Sequence, residues 1–232
     1  FALPREPVLP SEHAIGLHAA SLVKDGGTLQ IGIGALSDAI VHALIWRERD
    51  NAAFARTMQA LSPLRSPELS IECGRFERGL YGASEMVMDG FMHLRRAGIL
   101  RREVFDDLGL QRLLNCGAVG PVADASTLDR FIEAGLVAMP LDRPSLDWLK
   151  RFGLVDAAVD LVDGELRWPD GMRSGADLRD RGGKQLLVAH MMGKRLVGGR
   201  YLHGAFWLGT RQLQDWLGAL HGADYDGLCM TR

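Results

Sequence analysis

The apolar residues of the chain first recur at helical spacing near its start. Ser11 is a suitable N-cap for a helix there, and Gly26-Gly27 provide a stop. Between these signals, positions three or four residues apart form one apolar face: Ile15, Ala19, Leu22 and Val23. The pattern predicts a helix that buries this face.

A strand, a glycine turn and a second helix follow. Residues 28–33 are mostly apolar, with Gln30 as an outward polar position, which predicts a strand. Gly32-Ile33-Gly34 follows, and a second helical face then begins, formed by Leu36, Ala39, Ile40, Ala43 and Leu44. This order of elements is the repeating unit of an open α/β sheet.

The next part of the chain is more polar before it returns to the same plan. Residues 47–78 are charged and include Pro63 and Pro67, which indicates a surface connection with a short helix. Residues 79–83 resemble the end of a second strand. Ser84 is a candidate cap for the helix after it, which would bury Val87, Phe91 and Leu94 and end at Gly98.

The second half mixes helices and strands. We expect helices over residues 126–134 and 144–153, and an Asp163-Gly164 pair between alternating residues predicts a hairpin. Residues 184–192 are ambiguous between helix and strand. Residues 201–207 predict a buried strand, and Thr210 caps the helix after it, whose apolar positions are Leu213, Trp216, Leu217 and Leu220.

These elements predict an α/β fold: an open, mostly parallel sheet flanked by helices, with a mixed α/β insertion. Residues 1–99 would form the core with the glycine turn, residues 100–195 the insertion of helices and a hairpin, and residues 196–232 a returning strand and helix. The chain begins at Phe1 without a methionine and ends just after a structured stretch. We therefore expect it to be a segment of a longer polypeptide.

Composition narrows the class of protein. The chain has 232 residues, of which 47% are hydrophobic, and a net charge of −2, as in an ordinary globular protein. A net charge this close to zero makes nucleic acid and membrane poor candidates as partners. We expect a cytoplasmic location. The cysteines are Cys73, Cys116 and Cys229, without metal-ligand spacing, so we expect reduced thiols and no metal site.

The glycine turn is the first candidate site. Gly32 and Gly34 let the backbone approach a ligand closely, and the helix behind them offers free N–H groups and the positive end of its dipole. The turn, with Ile33 and Ala35, could hold an anion or a developing oxyanion. The alternative is a tight corner without a ligand. A third glycine and a P-loop lysine are missing, so nucleotide motifs are poorly matched.

Glu85 is the second candidate. The small residues 82–84 would leave its carboxylate accessible at a strand-to-helix junction, where open α/β sheets bind ligands. An ionised carboxylate is a usable nucleophile. The alternative is a solvated side chain that complements a helix dipole. His203 is more consistent with a hydrogen-bonded core residue, and Cys116 lacks a neighbouring histidine at a recognisable spacing.

The order of several motifs resembles that of a known family. The stretches DGGTLQIGIGALSDA at residues 25–39, SEMVMDG at residues 84–90, RAGI at residues 96–99 and YLHGAFWLGTR at residues 201–211 are similar to blocks of the acetyl-CoA hydrolase and hydroxybutyrate coenzyme A transferase family. They resemble the first part of its C-terminal domain, in a long variant with an insertion. Ser37 stands where the family usually has proline, and Ala83 where many members have histidine.

The resemblance implies a reaction and its site. Glu85 would attack an acyl-CoA thioester and pass through an acyl-glutamyl anhydride to a glutamyl-CoA thioester, which a second carboxylate or water resolves. The backbone of the Gly32–Gly34 turn would stabilise the oxyanion. Coenzyme A and acyl-CoA would be substrates rather than permanently bound cofactors, and we expect a homo-oligomer. The family's other wall and its coenzyme A loop lie outside this chain, so we expect little turnover from it alone.

Two other interpretations remain at this point. The chain could be a non-catalytic coenzyme A-binding domain, or a nucleotide-binding α/β domain. Covalent trapping by an acyl-CoA would separate the enzyme from both.

Overall fold

The structure is a computed structural model that describes residues 7–61 and 70–230. Within these ranges the chain divides into two compact units. The sheet unit comprises the residues up to Val104 together with those from Arg200 onward, and the insertion unit spans Phe105–Gly199. Among the described residues, no helix combines the length and the apolar character that crossing a membrane requires.

The sheet unit alternates strands with helices. Its strands are β1 (Thr28–Leu29), β2 (Tyr81–Val87), β6 (Leu202–Trp207) and β7 (Leu228–Met230). Its helices are α1 (Pro10–Leu22), α2 (Ala35–Arg49), α3 (Asn51–Leu61), α4 (Asp89–Arg96), α9 (Arg211–Gly218) and α10 (Gly222–Asp226).

All four strands form one parallel sheet in the order β1-β2-β6-β7. Leu29 pairs with Gly82, and Gly82 pairs in turn with Leu202. On the next row, Ala83 pairs with His203, which pairs with Cys229. Since β2 has a neighbour on each side, it is a central strand, and the open, parallel α/β fold expected from the sequence is confirmed.

Helix packing covers one face of this sheet. A Cβ atom on Gly82 would come within 3.0 Å of the Phe91 ring, so α4 lies directly on that face. A Cβ atom on Gly90 of α4 would come within 3.0 Å of Ile31, before α2, and of Val41 in α2. A Cβ atom on Gly16 of α1 would come equally close to the backbone of Ala39 in α2. Small residues therefore let α4, α2 and α1 pack side by side.

This close packing overturns the predicted face of α1. Its buried residues are Gly16, Leu17, Ala20 and Ser21, while Ile15 is 51% exposed and Leu22 is 49% exposed. The helix turns its small residues toward α2, because only they allow the backbones to meet. The N-cap is Leu9 rather than Ser11, and the Glu12 carboxylate accepts a hydrogen bond from the Leu9 N–H.

The prediction for residues 79–98 was wrong at the boundary between strand β2 and helix α4. Strand β2 continues to Val87, so Ser84 lies inside the strand and caps no helix; the N-cap of α4 is Met88. Conversely, β1 is shorter than predicted, since it ends at Leu29. Gly98 does end α4, with a φ of 73°.

The expected surface connection after residue 46 is largely helical. Helix α2 runs to Arg49 and α3 follows at once, while Pro63 and Pro67 lie outside the described residues. Arg47 is fully buried: its guanidinium donates to the carbonyl oxygens of Ala20, Val23 and Gly74 and lies 4.3 Å from the centre of the Phe76 ring. Burial lowers the pKa of Arg47. This buried cation joins α1, α2 and the segment after residue 70.

The insertion unit has its own core. Its elements are α5 (Leu108–Asn115), α6 (Thr127–Glu133), α7 (Arg143–Arg151), β3 (Asp160–Val162), β4 (Glu165–Arg167), β5 (Arg173–Gly175) and α8 (Arg181–Met191). Edge-to-face aromatic contacts link Phe131 to Trp148 and Trp148 to Phe152, with ring centres 5.0 and 4.9 Å apart. These large rings fill the centre of a small unit that has only a three-stranded antiparallel sheet.

The local predictions for this unit are confirmed. Helices α6 and α7 occupy the expected stretches, and the hairpin turns at Asp163 and Gly164, whose φ angles are 52° and 77°. Two consecutive residues with positive φ form the turn type that suits a two-residue hairpin. Residues 184–192, ambiguous in the sequence, belong to α8 apart from Met192, which caps it. Helix α5 was not predicted.

Candidate functional site

The two faces of the parallel sheet differ in burial. Side chains alternate along a strand, so residues paired in register across neighbouring strands share a face. Gly82, Leu202 and Gly204 lie on the face under α4 and are buried. Alternation breaks at the end of β2, where Val87 is buried against Gly204 on the face under α4. The opposite face carries Ala83, Glu85, His203, Ala205 and Cys229, none of which is fully buried. We call these five residues, together with Tyr81, the open face.

Glu85 is the exposed acid of this open face. It lies in the carboxyl-terminal half of β2 and is classed with the exposed residues, although β2 is central in the sheet. The described residues form neither a hydrogen bond nor an ion pair with its carboxylate. A carboxylate without partners remains free to react, in contrast to one held by N–H donors.

The glycine turn lies beside this part of β2. The Ser84 hydroxyl donates a hydrogen bond to the Ile31 carbonyl oxygen at 3.2 Å, so the chain entering the turn runs next to the residue before Glu85. Gly34 is the N-cap of α2 and has a φ of 105°, which side chains rarely adopt. Ideal Cβ atoms on Gly32 and Gly34 would meet nothing within 4 Å. The glycines therefore border open space.

The start of α2 presents unused donors to that space. No described residue accepts a hydrogen bond from the N–H groups of residues 34–37, and residues 32–34 are exposed. Such groups, at the positive end of a helix dipole, favour an anion or a carbonyl oxygen that gains negative charge. The geometry of residues 32–35 is thus suited to the oxyanion role, and that role stays a prediction.

A buried carboxylate fixes the edge of the site. Asp89, the first residue of α4, is 6% exposed. It accepts hydrogen bonds from the Thr210 N–H, at 3.1 Å, and from the Thr210 hydroxyl. Thr210 also caps α9, because its hydroxyl accepts from the Leu213 N–H. The Asp89–Thr210 clamp ties together the turns that follow β2 and β6, so it holds the carboxyl ends of two neighbouring strands in place.

An arginine and a tyrosine occupy the other end of the open face. The Arg102 guanidinium lies 5.7 Å from the centre of the Tyr81 ring and donates to the Thr28 hydroxyl at 3.1 Å. The Nε of Arg102 is buried and has no partner among the described residues. Burial raises the pKa of Tyr81, the Cys229 thiol raises it further and Arg102 opposes the change.

Three histidines line a separate cleft of about 350 Å³ near the start of α4: His13, His42 and His93, together with Asp38 and Asp89. Within residues 7–61 and 70–230, no group of three or more possible ligands is arranged to hold a metal ion. The three cysteines are free thiols. The cleft lies beside the clamp, and its histidines and aspartates stand among apolar residues such as Val41 and Ile45.

The structure brings together two of the features selected from the sequence. Glu85 and the turn at residues 32–35 lie on adjacent parts of the sheet, linked through Ser84 and Ile31. Cys116 belongs to the insertion unit and is exposed. His203 is half-buried on the open face, and among the described residues the expected hydrogen bond to its ring is not found. The sequence analysis did not select Asp89, although acidic residues at helix starts are a known signal.

A parallel sheet with an exposed carboxylate beside a glycine turn is compatible with a coenzyme A transferase-like protein. No family model matches the chain. The chain is similar to the 4-hydroxybutyrate coenzyme A transferase of Clostridium kluyveri, with 33% identity over 92 residues. The matched stretch covers 40% of this chain and 14% of that relative. The similarity supports a relationship to a coenzyme A transferase over part of the chain.

Proposed function

We propose that the chain forms part of an enzyme that transfers coenzyme A between an acyl-CoA and a carboxylate, with Glu85 as the nucleophile. One observation carries the proposal: Glu85 is exposed and unpartnered on a central strand, beside a glycine turn with unused N–H donors. The similarity to a coenzyme A transferase supports the same reaction class.

The reaction begins at the Glu85 carboxylate. One carboxylate oxygen attacks the thioester carbonyl carbon, the carbon–sulfur bond breaks, and an acyl-glutamyl anhydride and coenzyme A thiolate form. The thiolate then attacks the Glu85 side-chain carbonyl, which gives a glutamyl-CoA thioester and releases the acyl group as a carboxylate. An incoming carboxylate reverses these steps and leaves as the new acyl-CoA.

The glycine turn has a defined part in these steps. Each attack converts a carbonyl oxygen into an oxyanion, and the N–H groups of residues 34–37 are available to donate to it. A single donor of this kind typically accounts for about a hundredfold or more in rate. Acyl-CoA and carboxylate are substrates in this scheme, and no resident cofactor takes part. Water in place of the second carboxylate would make the enzyme a hydrolase.

Covalent trapping tests the proposal directly. The full-length protein is incubated with a short-chain acyl-CoA and reduced with borohydride, and the peptide containing Glu85 is analysed by mass spectrometry. We expect reduction of a glutamyl thioester to an alcohol at Glu85. Glu77→Gln is a matched control, since Glu77 is an exposed acid of the same unit.

The competing interpretations give different results. Glu85→Gln should remove both the adduct and turnover, with a loss of at least about a thousandfold, because the nucleophile itself is missing. Binding of coenzyme A without any adduct would favour a non-catalytic coenzyme A-binding domain. Full activity in Glu85→Gln would contradict the proposal.

A further inference from the structure

His203 stands next to Glu85 on the open face. It pairs with Ala83, two residues before Glu85 on β2, and with Cys229 on β7. Neighbouring strands lie about 4.8 Å apart and two residues along a strand span about 6.6 Å, so the Cα atoms on such a diagonal are about 8 Å apart, a distance that long side chains can partly close. Ala83 is small, so the row directly opposite His203 leaves room for its ring to lean toward Glu85.

The ring of His203 is also available. It is half-buried, and among the described residues no hydrogen bond, ion pair or aromatic contact engages it. No ion pair joins the Glu85 carboxylate to the His203 ring among the described residues, so neither group is occupied by the other. An imidazole is the side chain best suited to take a proton from water near neutral pH.

From this juxtaposition we infer that His203 is a general base that directs the glutamyl-CoA intermediate toward water. The inference rests on the proposed function and adds an acceptor to it: the site would hydrolyse acyl-CoA as well as transfer coenzyme A. Transfer to a carboxylate needs no base, since that acceptor is already an anion. Hydrolysis does, because neutral water is a weak nucleophile.

Hydrolysis moves one proton from water through His203 to the departing thiolate. The water oxygen attacks the Glu85 side-chain carbonyl carbon while one water proton passes to the free nitrogen of His203. The carbon–sulfur bond breaks, and the departing thiolate takes that proton from the imidazolium as coenzyme A thiol. Glu85 is left as a carboxylic acid, which loses its proton to solvent and returns to its starting state.

Two variants test the inference in the full-length protein. His203→Gln and His203→Asn keep a polar side chain of similar shape but cannot act as a base. Thiol release from acetyl-CoA in water and transfer of coenzyme A to labelled acetate are measured in parallel. We expect the ratio of hydrolysis to transfer to fall at least about a hundredfold, the lower end of general-base effects, and the borohydride-trapped adduct at Glu85 to accumulate.

The pH profile gives a second readout. Hydrolysis by the wild type should slow toward acidic pH more than transfer does, because only hydrolysis needs a base, and this difference should vanish in both variants. Among the described residues, the other titratable side chains on this face are Tyr81 and Glu85 of β2 and Cys229 of β7, with Arg102 over Tyr81. Cys229→Ala is the matched control, because Cys229 flanks His203 on the side away from Glu85, and it should keep the wild-type ratio and profile.

The outcomes separate the two proposals. An adduct at Glu85 together with a wild-type ratio in both His203 variants overturns the role of His203 and leaves the proposed function standing. A wild type that forms no adduct overturns the proposed function, and the role of His203 falls with it. A fall in the ratio of hydrolysis to transfer in Cys229→Ala would mean that packing around His203, rather than its basicity, controls hydrolysis.

Discussion

Glycines lie in different surroundings under α4 and beside the open face of the parallel sheet. Under α4, glycines are required because neighbouring side chains already fill the space: a Cβ on Gly82 would lie 2.5 Å from Leu202 Cδ1. At the glycine turn beside the open face, Cβ atoms on Gly32 and Gly34 would meet nothing within 4 Å. One set of glycines permits packing, whereas the other keeps a surface clear.

Two carboxylates only four residues apart show the same contrast. Asp89 is buried and receives two hydrogen bonds from Thr210, as a buried charge requires. Glu85 is exposed and has no partner among the described residues. The first is a structural group whose energy depends on its donors. An exposed carboxylate such as Glu85 has little effect on the stability of the fold and remains available to a substrate. Two acids that are close in sequence can therefore have different roles.

Among the variants that probe this contrast between glycines, the largest effect should follow from filling the open space at the turn. We expect Gly32→Val to lower coenzyme A transfer about a hundredfold, the effect of losing one oxyanion donor, because the new side chain blocks the approach of the thioester. Stability should change little, since Gly32 has an ordinary φ and no neighbour within 4 Å of its Cβ. Steady-state rates and thermal unfolding of the full-length protein provide the measurement.

Gly34→Val is the informative partner of that variant. The φ of 105° at Gly34 makes any side chain there strained, so this change should reduce stability as well as rate. If Gly32→Val retains wild-type rates while it remains folded, the turn is only a structural corner, and the contrast between the two sets of glycines loses its functional meaning.

The next largest effect concerns the clamp. We expect Asp89→Ala to lower the free energy of unfolding by about 2–3 kcal/mol, the scale of hydrogen bonds to a buried charge. Thr210→Val should cost less, because Asp89 would keep the Thr210 N–H as a donor. Denaturant unfolding measures both. A loss below about 0.5 kcal/mol for Asp89→Ala would show that Asp89 is as weakly coupled to the fold as Glu85.

Features governed by local chemistry could be predicted from the sequence. The Asp163-Gly164 turn, the Thr210 cap and the stop at Gly98 each depend on a few neighbouring residues, and all three are found. The strand–turn–helix order around Gly32 likewise gave the correct fold class. Glu85 and the glycine turn were selected for the same reason, since small residues around a polar one are visible without a fold.

Features governed by distant contacts could not be predicted. Strand β2 extends through Ser84 to Val87 because β6 pairs with it as far as Trp207, and no local signal indicates that partner. Helix α1 buries Gly16 and Ala20 because α2 approaches closely, although Ile15 and Leu22 are more apolar. The Asp89–Thr210 clamp joins residues 121 positions apart. In each case the tertiary neighbour overrides the local preference.

A smaller effect is expected from bulk on the covered face. We expect Gly82→Ala to lower the free energy of unfolding by about 1–3 kcal/mol, a typical cost of overpacking, because the new methyl group meets Leu202 and the Phe91 ring. Ala83→Ser, one residue along on the open face, is the control and should change stability by less than about 0.5 kcal/mol. Equal losses in the two variants would show that both faces are packed alike.

The smallest effect compares two tyrosines: Tyr201, which packs against Arg95 of α4, and Tyr81 on the open face. Tyr201 is 2% exposed; its hydroxyl donates to the Asp224 carbonyl oxygen at 2.9 Å, and the Arg95 guanidinium lies 4.0 Å from its ring centre. Burial raises the pKa of Tyr201 to about 12, with Arg95 opposing the change and Asp224 adding to it. An unfolded tyrosine has a pKa of about 10. Folding therefore favours the protonated phenol.

The sign of the pH dependence follows. The stabilisation from protonated Tyr201 is complete below about pH 10 and is lost as the pH rises toward 12, by at most about 1.4 kcal/mol per pH unit. Tyr201→Phe should lose about 1 kcal/mol at neutral pH, for one hydrogen bond, and should show a shallower decline above pH 10. Tyr81→Phe should flatten the decline less, because Tyr81 is only half-buried. Unfolding curves between about pH 9 and 11.5 measure the slopes, and a steeper contribution from Tyr81 would mean that the open face is the drier of the two.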